Sequence, residues 1–183
     1  MTTCLIEALS RVPDFRAPRG RRYPLELVLL LVIMGTLSGC YGYAALENFA
    51  ARHYQALAER LQLPKTRLPS DSTFRRVMMG INFEELAATF NQWASESIQL
   101  EPQAWLAMDG KSITSTVNHY SQAYQNFVTV VSVFSTRQGL TVGLSSFNNK
   151  KSSEIAVVQS LLEVLKLQGV VFTLDALHCQ KKP

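Results

Sequence analysis

The chain changes its pattern of apolar residues at the tetrapeptide Leu100-Glu101-Pro102-Gln103. Before this point, apolar side chains recur at the three- and four-residue spacing of helices. After it, β-branched and aromatic residues dominate in short runs, as they do in strands. Separate helical and strand-rich segments predict an α+β protein. We therefore expect two domains, a helical one at residues 1–99 and a sheet-containing one at residues 100–183.

The composition is that of a folded protein with a small excess of positive charge. The chain has 183 residues, of which 47% are hydrophobic and 17% charged, and its formal net charge is +4. These values exclude a disordered chain, and they permit a nucleic-acid partner without requiring one. The three cysteines are irregularly spaced and form no C-x-x-C pair. This spacing argues against disulfides or a zinc site and favours a reducing cytoplasm.

One segment has two interpretations. Arg21 and Arg22 precede the unbroken apolar run Leu27–Met34, and the sequence Leu37-Ser38-Gly39-Cys40 resembles a lipoprotein cleavage box. An exported lipoprotein anchored at Cys40 is therefore one alternative. The apolar run, however, is much shorter than the roughly 20 residues that a membrane-spanning helix needs. We favour a buried core helix in a cytoplasmic protein with no membrane partner.

The helical segment is predicted to contain five helices. Their limits follow from capping residues, prolines and glycines. The first is capped by Thr2 or Thr3, and the last is capped by Asn82. The first predicted helix ends at Ser10. The other four run over Pro24–Leu37, Tyr43–Leu63, Ser70–Met79 and Asn82–Ile98.

The second segment is predicted to follow the order β-β-β-α-β in a mixed sheet. Short connections should make the first three strands antiparallel, whereas the helical crossover lets the fourth lie parallel to a neighbour. Trp93 and Trp105 are interpreted as core residues. The predicted elements are strands 104–108, 126–135 and 140–147, a helix capped by Ser152 or Ser153 and ended by Gly169, and a strand at 170–174.

Two of these strands run into an aspartate, Asp109 in one case and Asp175 in the other. If the fourth strand lies beside the first, both carboxylates lie at one edge, where two carboxylates can bind a divalent cation. The order of the strands does not fix that neighbour. Aspartates also end strands simply to begin turns, so the pair alone does not establish a site. Beside Asp109, Gly110 leaves room for a phosphate and Lys111 offers a positive charge.

Five motifs, three in the second segment and two in the helical segment, cover nearly the whole chain. They are Met108-Asp109-Gly110-Lys111, Lys151-Ser152-Ser153-Glu154-Ile155, Asp175-Ala176-Leu177-His178-Cys179-Gln180-Lys181, Arg22-Tyr23-Pro24-Leu25 and Leu68-Pro69-Ser70-Asp71-Ser72-Thr73-Phe74-Arg75-Arg76-Val77. Together they resemble the motifs of bacterial insertion-sequence transposases of the H-repeat-associated type.

The resemblance implies a DDE enzyme with a helical N-terminal domain and a partial ribonuclease-H-like α/β domain. Asp109 and Asp175 match the first two acids of the DDE triad, which would bind Mg²⁺ or Mn²⁺ and cleave and transfer DNA strands. The implied partner is double-stranded DNA at insertion-sequence ends, and a homo-oligomer is a further candidate. The implied DNA contacts include Lys111, His178, Gln180 and Lys181.

The third acid of that family is a glutamate on a later helix, and this sequence stops before the position is reached. We therefore expect an N-terminal portion that is inactive by itself, and whether it is an enzyme stays open. The alternative is a truncated DNA-binding remnant that acts at element ends without catalysis. Glu154 is a candidate auxiliary acid, although an acidic residue at a helix start is also favoured by the helix dipole alone.

Basic residues in the helical segment are the remaining DNA-binding candidates. Arg75 and Arg76 lie opposite the apolar face of their predicted helix, and residues 69–79 with the next helix resemble a helix-turn-helix. A solvated charged face is the alternative for both. The same two alternatives apply to the earlier cluster of Arg16, Arg19, Arg21 and Arg22.

Overall fold

The structure is a computed structural model that describes residues 4–60, 68–118, 126–148 and 153–175. These residues contain six α-helices and a four-stranded mixed sheet, so the predicted α+β class is confirmed. The chain divides into two compact units, one at Cys4–Leu86 and one that begins at Ala87. This division falls within helix α5 (Phe83–Ser97). The boundary at residue 99 stays a prediction.

The first unit is built from helices whose limits lie close to those predicted. Ser70 is the N-cap residue of α4, and Asn82 accepts a hydrogen bond from the Glu84 N–H at 2.9 Å at the start of α5. The predicted caps Thr2 and Thr3, and the end of the third helix beyond Arg60, lie outside the described residues. The helices of the first unit are α1 (Leu5–Leu9), α2 (Leu25–Leu37), α3 (Tyr43–Arg60), α4 (Asp71–Gly80) and the start of α5, with a 3₁₀ turn at Pro18–Gly20. From Ala87 onward, α5 belongs to the second unit.

The apolar helix α2 lies in the core of the first unit. Val28 is completely buried, and Phe74 and Val77 of α4 belong to the same apolar cluster. Gly35 allows α3 to approach, because a Cβ at this position would lie 2.5 Å from Leu46 Cδ2. Among the described residues, no helix combines the length and the apolar character needed to cross a bilayer. The core helix favoured from the sequence is therefore observed.

The second unit is a four-stranded sheet in the order β3-β2-β1-β4 with one helix between β3 and β4. The pairs β1–β2 and β2–β3 are antiparallel, and β4 lies parallel to β1. The elements are β1 (Trp105–Asn118), β2 (Asn126–Ser135), β3 (Leu140–Asn148), α6 (Glu154–Leu165) and β4 (Val171–Thr173).

Strand β1 is much longer than predicted, since it continues to Asn118 and not only to Met108. Asp109 therefore lies within the strand and not at its carboxyl end. The prediction was wrong because the end of an apolar run does not reveal how far a neighbouring strand continues. The residues after Gly110 are rich in β-branched types, and β2 supplies a hydrogen-bonding partner as far as the Ile113–Val128 pair.

One face of the sheet is covered by α6. Leu106 and Met108 of β1 belong to the buried cluster that includes Leu161 of α6. Because successive strand residues point to opposite faces, Trp105 projects to the other face. Its side chain is 58% exposed, so the interpretation of Trp105 as a core residue was wrong.

Helix α6 begins and ends through local signals. The Ser153 hydroxyl accepts a hydrogen bond from the Ala156 N–H, which caps the helix. The helix ends at Lys166, which adopts the left-handed conformation with φ of 47°. Gly169 was predicted to end the helix, but it instead makes the turn into β4 with φ of 67°.

The helix packs unusually closely on β3 at Gly143. A Cβ at this glycine would lie 2.6 Å and 2.8 Å from the two methyl carbons of Leu165. Leu165 is buried in the same apolar cluster as Val142 of β3. The missing side chain at Gly143 therefore sets the distance between α6 and the sheet.

An asparagine side chain continues the hydrogen bonding beyond the outer strand of the sheet. Asn91 of α5 donates to the Leu144 carbonyl and accepts from the Leu144 N–H, both at 2.8 Å. Asn91 is only 7% exposed. Its amide thus satisfies two backbone groups of β3 that would otherwise be unpaired at a sheet edge.

Replacement of Gly143 by alanine should destabilise the second unit by about 1–3 kcal/mol, because the added methyl group overpacks the contact with Leu165. The change is measured as a lower urea midpoint in circular dichroism. The double variant Gly143→Ala/Leu165→Ala should be destabilised by less than the sum of the single variants. An unchanged midpoint for Gly143→Ala would contradict the close packing.

Candidate functional site

Asp109 lies in the middle of β1 with its side chain exposed. It pairs with Ser132 of β2, and Lys111 pairs with Val130 two positions further along. Asp109 and Lys111 share one face of the sheet because strand side chains alternate. This is the face opposite to α6. The strand therefore presents a carboxylate and an ammonium group to solvent on the same side.

Asp175 lies two residues beyond the end of β4, which is the strand that pairs with the strand of Asp109. The last parallel pair is Ala107 with Thr173. Strand β4 ends at Thr173. If this register continued for two more residues (107 + 2 = 109 and 173 + 2 = 175), Asp175 would lie level with Asp109 on a segment about 4.8 Å away. Asp175 is exposed.

Two neighbouring carboxylates suit a hard divalent cation, since Mg²⁺ and Mn²⁺ prefer oxygen ligands. The donor chemistry of Asp109 and Asp175 therefore fits such an ion. Within the described ranges, no group of three or more His, Cys, Asp or Glu side chains is arranged to hold a metal. A hypothesis of metal binding here consequently depends on this pair of aspartates.

Glu154 lies at the first position of α6 and reaches back over β1. Its carboxylate occupies the space beside Gly110, where a Cβ would lie 2.5 Å from Oε1 and 2.7 Å from Cδ. Gly110 points to the α6 face, so Glu154 approaches β1 from the side opposite to Asp109. The room at Gly110, expected from the sequence to admit a phosphate, is filled by this carboxylate.

The structure describes only some of the other candidate residues of the second unit. Lys111 is exposed on β1. The predicted DNA contacts His178, Gln180 and Lys181 lie outside the described residues, as does most of the motif that begins at Asp175.

In the first unit, Arg75 and Arg76 are both exposed on α4, on the side away from Phe74 and Val77. The Arg76 Nε donates to the Ser72 carbonyl at 3.1 Å. Their helix is preceded by Leu68, whose carbonyl accepts a hydrogen bond from the Tyr23 hydroxyl at 2.7 Å. The two motifs of the helical segment, which are far apart in sequence, therefore lie against each other.

The sequence did not reveal how the early arginines are used. Arg16 forms a two-point ion pair with Asp14, with Nε–Oδ1 at 2.8 Å and Nη2–Oδ2 at 2.9 Å. Arg21 donates to the carbonyls of Asp14 and Arg16. These bonds close the loop before Tyr23. The hydrogen bond from Arg16, with smaller charge effects from Arg16 and Arg21, lowers the pKa of Asp14 below its ordinary value.

Asp14 should make stability depend on pH in acid. A carboxyl whose pKa is lower in the folded state stabilises the fold above its unfolded pKa, ordinarily 3.8. That contribution is lost as the pH falls through the lower, folded pKa. Asp14→Asn should therefore reduce the urea midpoint at pH 7 and flatten its decrease below pH 4, measured by circular dichroism.

Glu59→Gln removes an exposed carboxylate of α3 and is the matched control. If Asp14→Asn had the same acid profile as the Glu59→Gln variant, the ion pair would not contribute to stability.

A family model described as DDE_Tnp_1-associated matches residues 6–94. This range overlaps all five helices α1 to α5 and contains both motifs that lie against each other in the first unit. No solved structure matches the chain.

Three curated relatives are similar over nearly the whole chain. The H repeat-associated putative transposases YhhI and YbfD of Escherichia coli (strain K12) are each 28% identical over 177 residues, or 97% of this chain. The match covers 46% of YhhI and 68% of YbfD. An uncharacterised protein from the dhlA 3′ region of Xanthobacter autotrophicus is 29% identical over 172 residues, which are 93% of this chain and 57% of that protein. The chain thus spans about half the length of YhhI.

Proposed function

We propose that this chain is the N-terminal part of an insertion-sequence DDE transposase. Two findings support the proposal. Residues 6–94 match the DDE_Tnp_1-associated family model, and nearly the whole chain is similar to proteins named as putative transposases. Strand cleavage and transfer at element ends would be the activity of the longer protein. Its partner would be double-stranded DNA, and its compartment the cytoplasm.

The second unit would be the first part of a ribonuclease-H-like domain under this proposal. Three antiparallel strands, a crossover helix and a fourth strand parallel to the first support it. The parallel β1–β4 pair is the observation that carries the functional proposal, because its register, continued two residues beyond Ala107–Thr173, would bring Asp175 level with Asp109.

Asp109 and Asp175 would hold Mg²⁺ or Mn²⁺ between these paired segments. The bound ion would supply Lewis-acid stabilisation of a phosphodiester oxygen. Lys111 lies on the same face as Asp109 and would neutralise a neighbouring phosphate. His178, Gln180 and Lys181 are proposed as further DNA contacts. Glu154 approaches from the opposite face, which favours a local role at Gly110 over a role as a ligand.

Metal binding tests the proposed site directly. Mn²⁺ should broaden the NMR amide signals of residues near Asp109 in the wild-type chain, because a bound paramagnetic ion relaxes nearby nuclei. Asp109→Asn and Asp175→Asn should each weaken this binding at least about tenfold, since each removes an anionic ligand.

Glu154→Gln is the matched control and should leave Mn²⁺ binding unchanged. Equal binding by the wild type and both aspartate variants would refute the site. Weaker binding in the Glu154→Gln variant would show that this carboxylate is a ligand after all.

For the 183-residue polypeptide by itself we expect no DNA cleavage. The described residues assemble no third carboxylate beside the pair, and catalytic groups that act as a unit fail together. Incubation with Mg²⁺ and a labelled element-end duplex should leave the DNA intact. Cleavage that disappears in the Asp109→Asn variant would overturn this expectation.

The second candidate function is DNA binding without catalysis at element ends. The exposed arginines of α4 favour it, because they present positive charge on the side of the helix away from the core. It predicts salt-sensitive DNA binding that persists when Asp109 and Asp175 are both changed to asparagine. The Mn²⁺ experiment separates the two candidates, because only the first requires a metal at these aspartates.

A further inference from the structure

A cavity of about 880 Å³ lies in the first unit between the loop at residues 15–23 and helix α4. Its basic lining residues come from both motifs of the helical segment and from the loop before them. Arg19 and Arg22 lie on the loop side, and Arg76 lies on α4. All three are exposed at the surface, so the cavity is open to a ligand from solvent.

The cavity is held in shape by contacts at both ends of the loop. The buried Tyr23 donates its hydroxyl proton to the Leu68 carbonyl at 2.7 Å, which fixes the loop to the residues before α4. At the other end, the Phe15 ring lies against Gly80, where a Cβ would collide with it. These two contacts therefore hold the loop that carries Arg19 and Arg22 against the helix that carries Arg76.

The charges around the cavity are strongly unbalanced. Arg16 also lines it, but its charge is matched by the ion pair with Asp14. Glu47 is the acidic lining residue, and its carboxylate accepts the Asp71 N–H at the start of α4 at 3.2 Å. Among the described lining residues, the three arginines Arg19, Arg22 and Arg76 are therefore accompanied by a single acidic residue, Glu47, whose carboxylate already accepts a backbone hydrogen bond. This excess of positive charge favours an anionic ligand.

Polar donors at the start of α4 add to this preference. Ser70 and Thr73 line the cavity, and their hydroxyl groups lie 3.3 Å apart. The start of a helix carries a partial positive charge that favours anions. Hydroxyl groups beside arginines are a donor set that suits phosphate oxygens.

Within the part of the chain that the structure describes, one buried donor of the lining also meets no acceptor. Arg16 has a side chain that is 10% exposed, and its Nη1 has no hydrogen-bond partner among the described residues. Its Nε and Nη2 are satisfied by Asp14 and by the Tyr23 carbonyl. A buried donor without an acceptor is unfavourable, and more so when the group is charged. An anionic oxygen in the adjoining cavity would supply the missing acceptor.

From this lining we propose that the cavity binds a phosphate group of a DNA backbone. Arginine guanidinium groups recognise phosphate through paired hydrogen bonds, and contacts of this kind fix a protein on a duplex without reading its sequence. The choice of DNA as the source of the phosphate rests on the proposed function. The proposed phosphate site includes Arg76, which lines the cavity, but not its neighbour Arg75, which does not line it.

The test is fluorescence anisotropy of the full chain with a labelled duplex of arbitrary sequence over a range of salt concentrations. The triple variant Arg19→Gln/Arg22→Gln/Arg76→Gln should bind about tenfold more weakly or worse. The plot of log affinity against log salt has a negative slope, and its magnitude should decrease by about 1 for each phosphate that the variant no longer binds. Arg52→Gln changes an exposed arginine of α3 and should stay within about twofold of the wild type.

Circular dichroism checks that every variant is folded, and the triple arginine-to-lysine variant should retain part of the affinity because it keeps the charge. Unchanged affinity and salt slope in the triple glutamine variant, or no duplex binding by the wild type, would overturn the proposal. The proposal would also be overturned if inorganic phosphate raised the melting temperature of the protein while duplex binding did not depend on these arginines. The anisotropy is measured without a divalent ion, so failure of the metal site and failure of this cavity give different results.

Discussion

The second unit depends on the close contact between α6 and the sheet. Gly143 has no side chain, so Leu165 packs directly against the β3 backbone. Helix α6 follows β3 in the chain and precedes β4, and its packing covers the face formed by Leu106 and Met108. This crossover lets β4 enter the sheet parallel to β1, as a crossover helix generally does.

The candidate site is a consequence of that pairing. Asp109 and Asp175 are 66 residues apart in the sequence, and each follows the parallel β1–β4 pairs by two residues. The same geometry separates Glu154 from them, because Gly110 and Asp109 point to opposite faces of β1. A glycine inside a strand often marks a close approach by another group, but the sequence predicted that the strand ends before Gly110. The group that approaches Gly110 is the Glu154 carboxylate and not the phosphate expected from the sequence.

In the first unit, the structure divides a uniform cluster of arginines into two groups. Arg16 and Arg21 hold the loop together through Asp14 and backbone carbonyls, and they act as structural residues. Arg19 and Arg22 lie on the same loop beside a cavity whose opposite wall includes Arg76. Sequence spacing cannot make this division, because it depends on which guanidinium groups meet an acceptor after folding. The second group, together with Nη1 of Arg16, is therefore the one positioned to bind a ligand.

The sequence by itself determined the features that depend on neighbouring residues. These are the α+β class, the apolar core helix α2, the cap Asn82, a serine cap at Ser152 or Ser153, and the extent of β2 from Asn126 to Ser135. Tertiary structure alone decided the length of β1, the exposure of Trp105, the neighbour of β4 and the position of Glu154. Periodicity and capping are set within a few residues, whereas strand pairing and helix packing join residues far apart in the chain. The two aspartates were therefore visible in the sequence, but the parallel pairing of β1 and β4 was not.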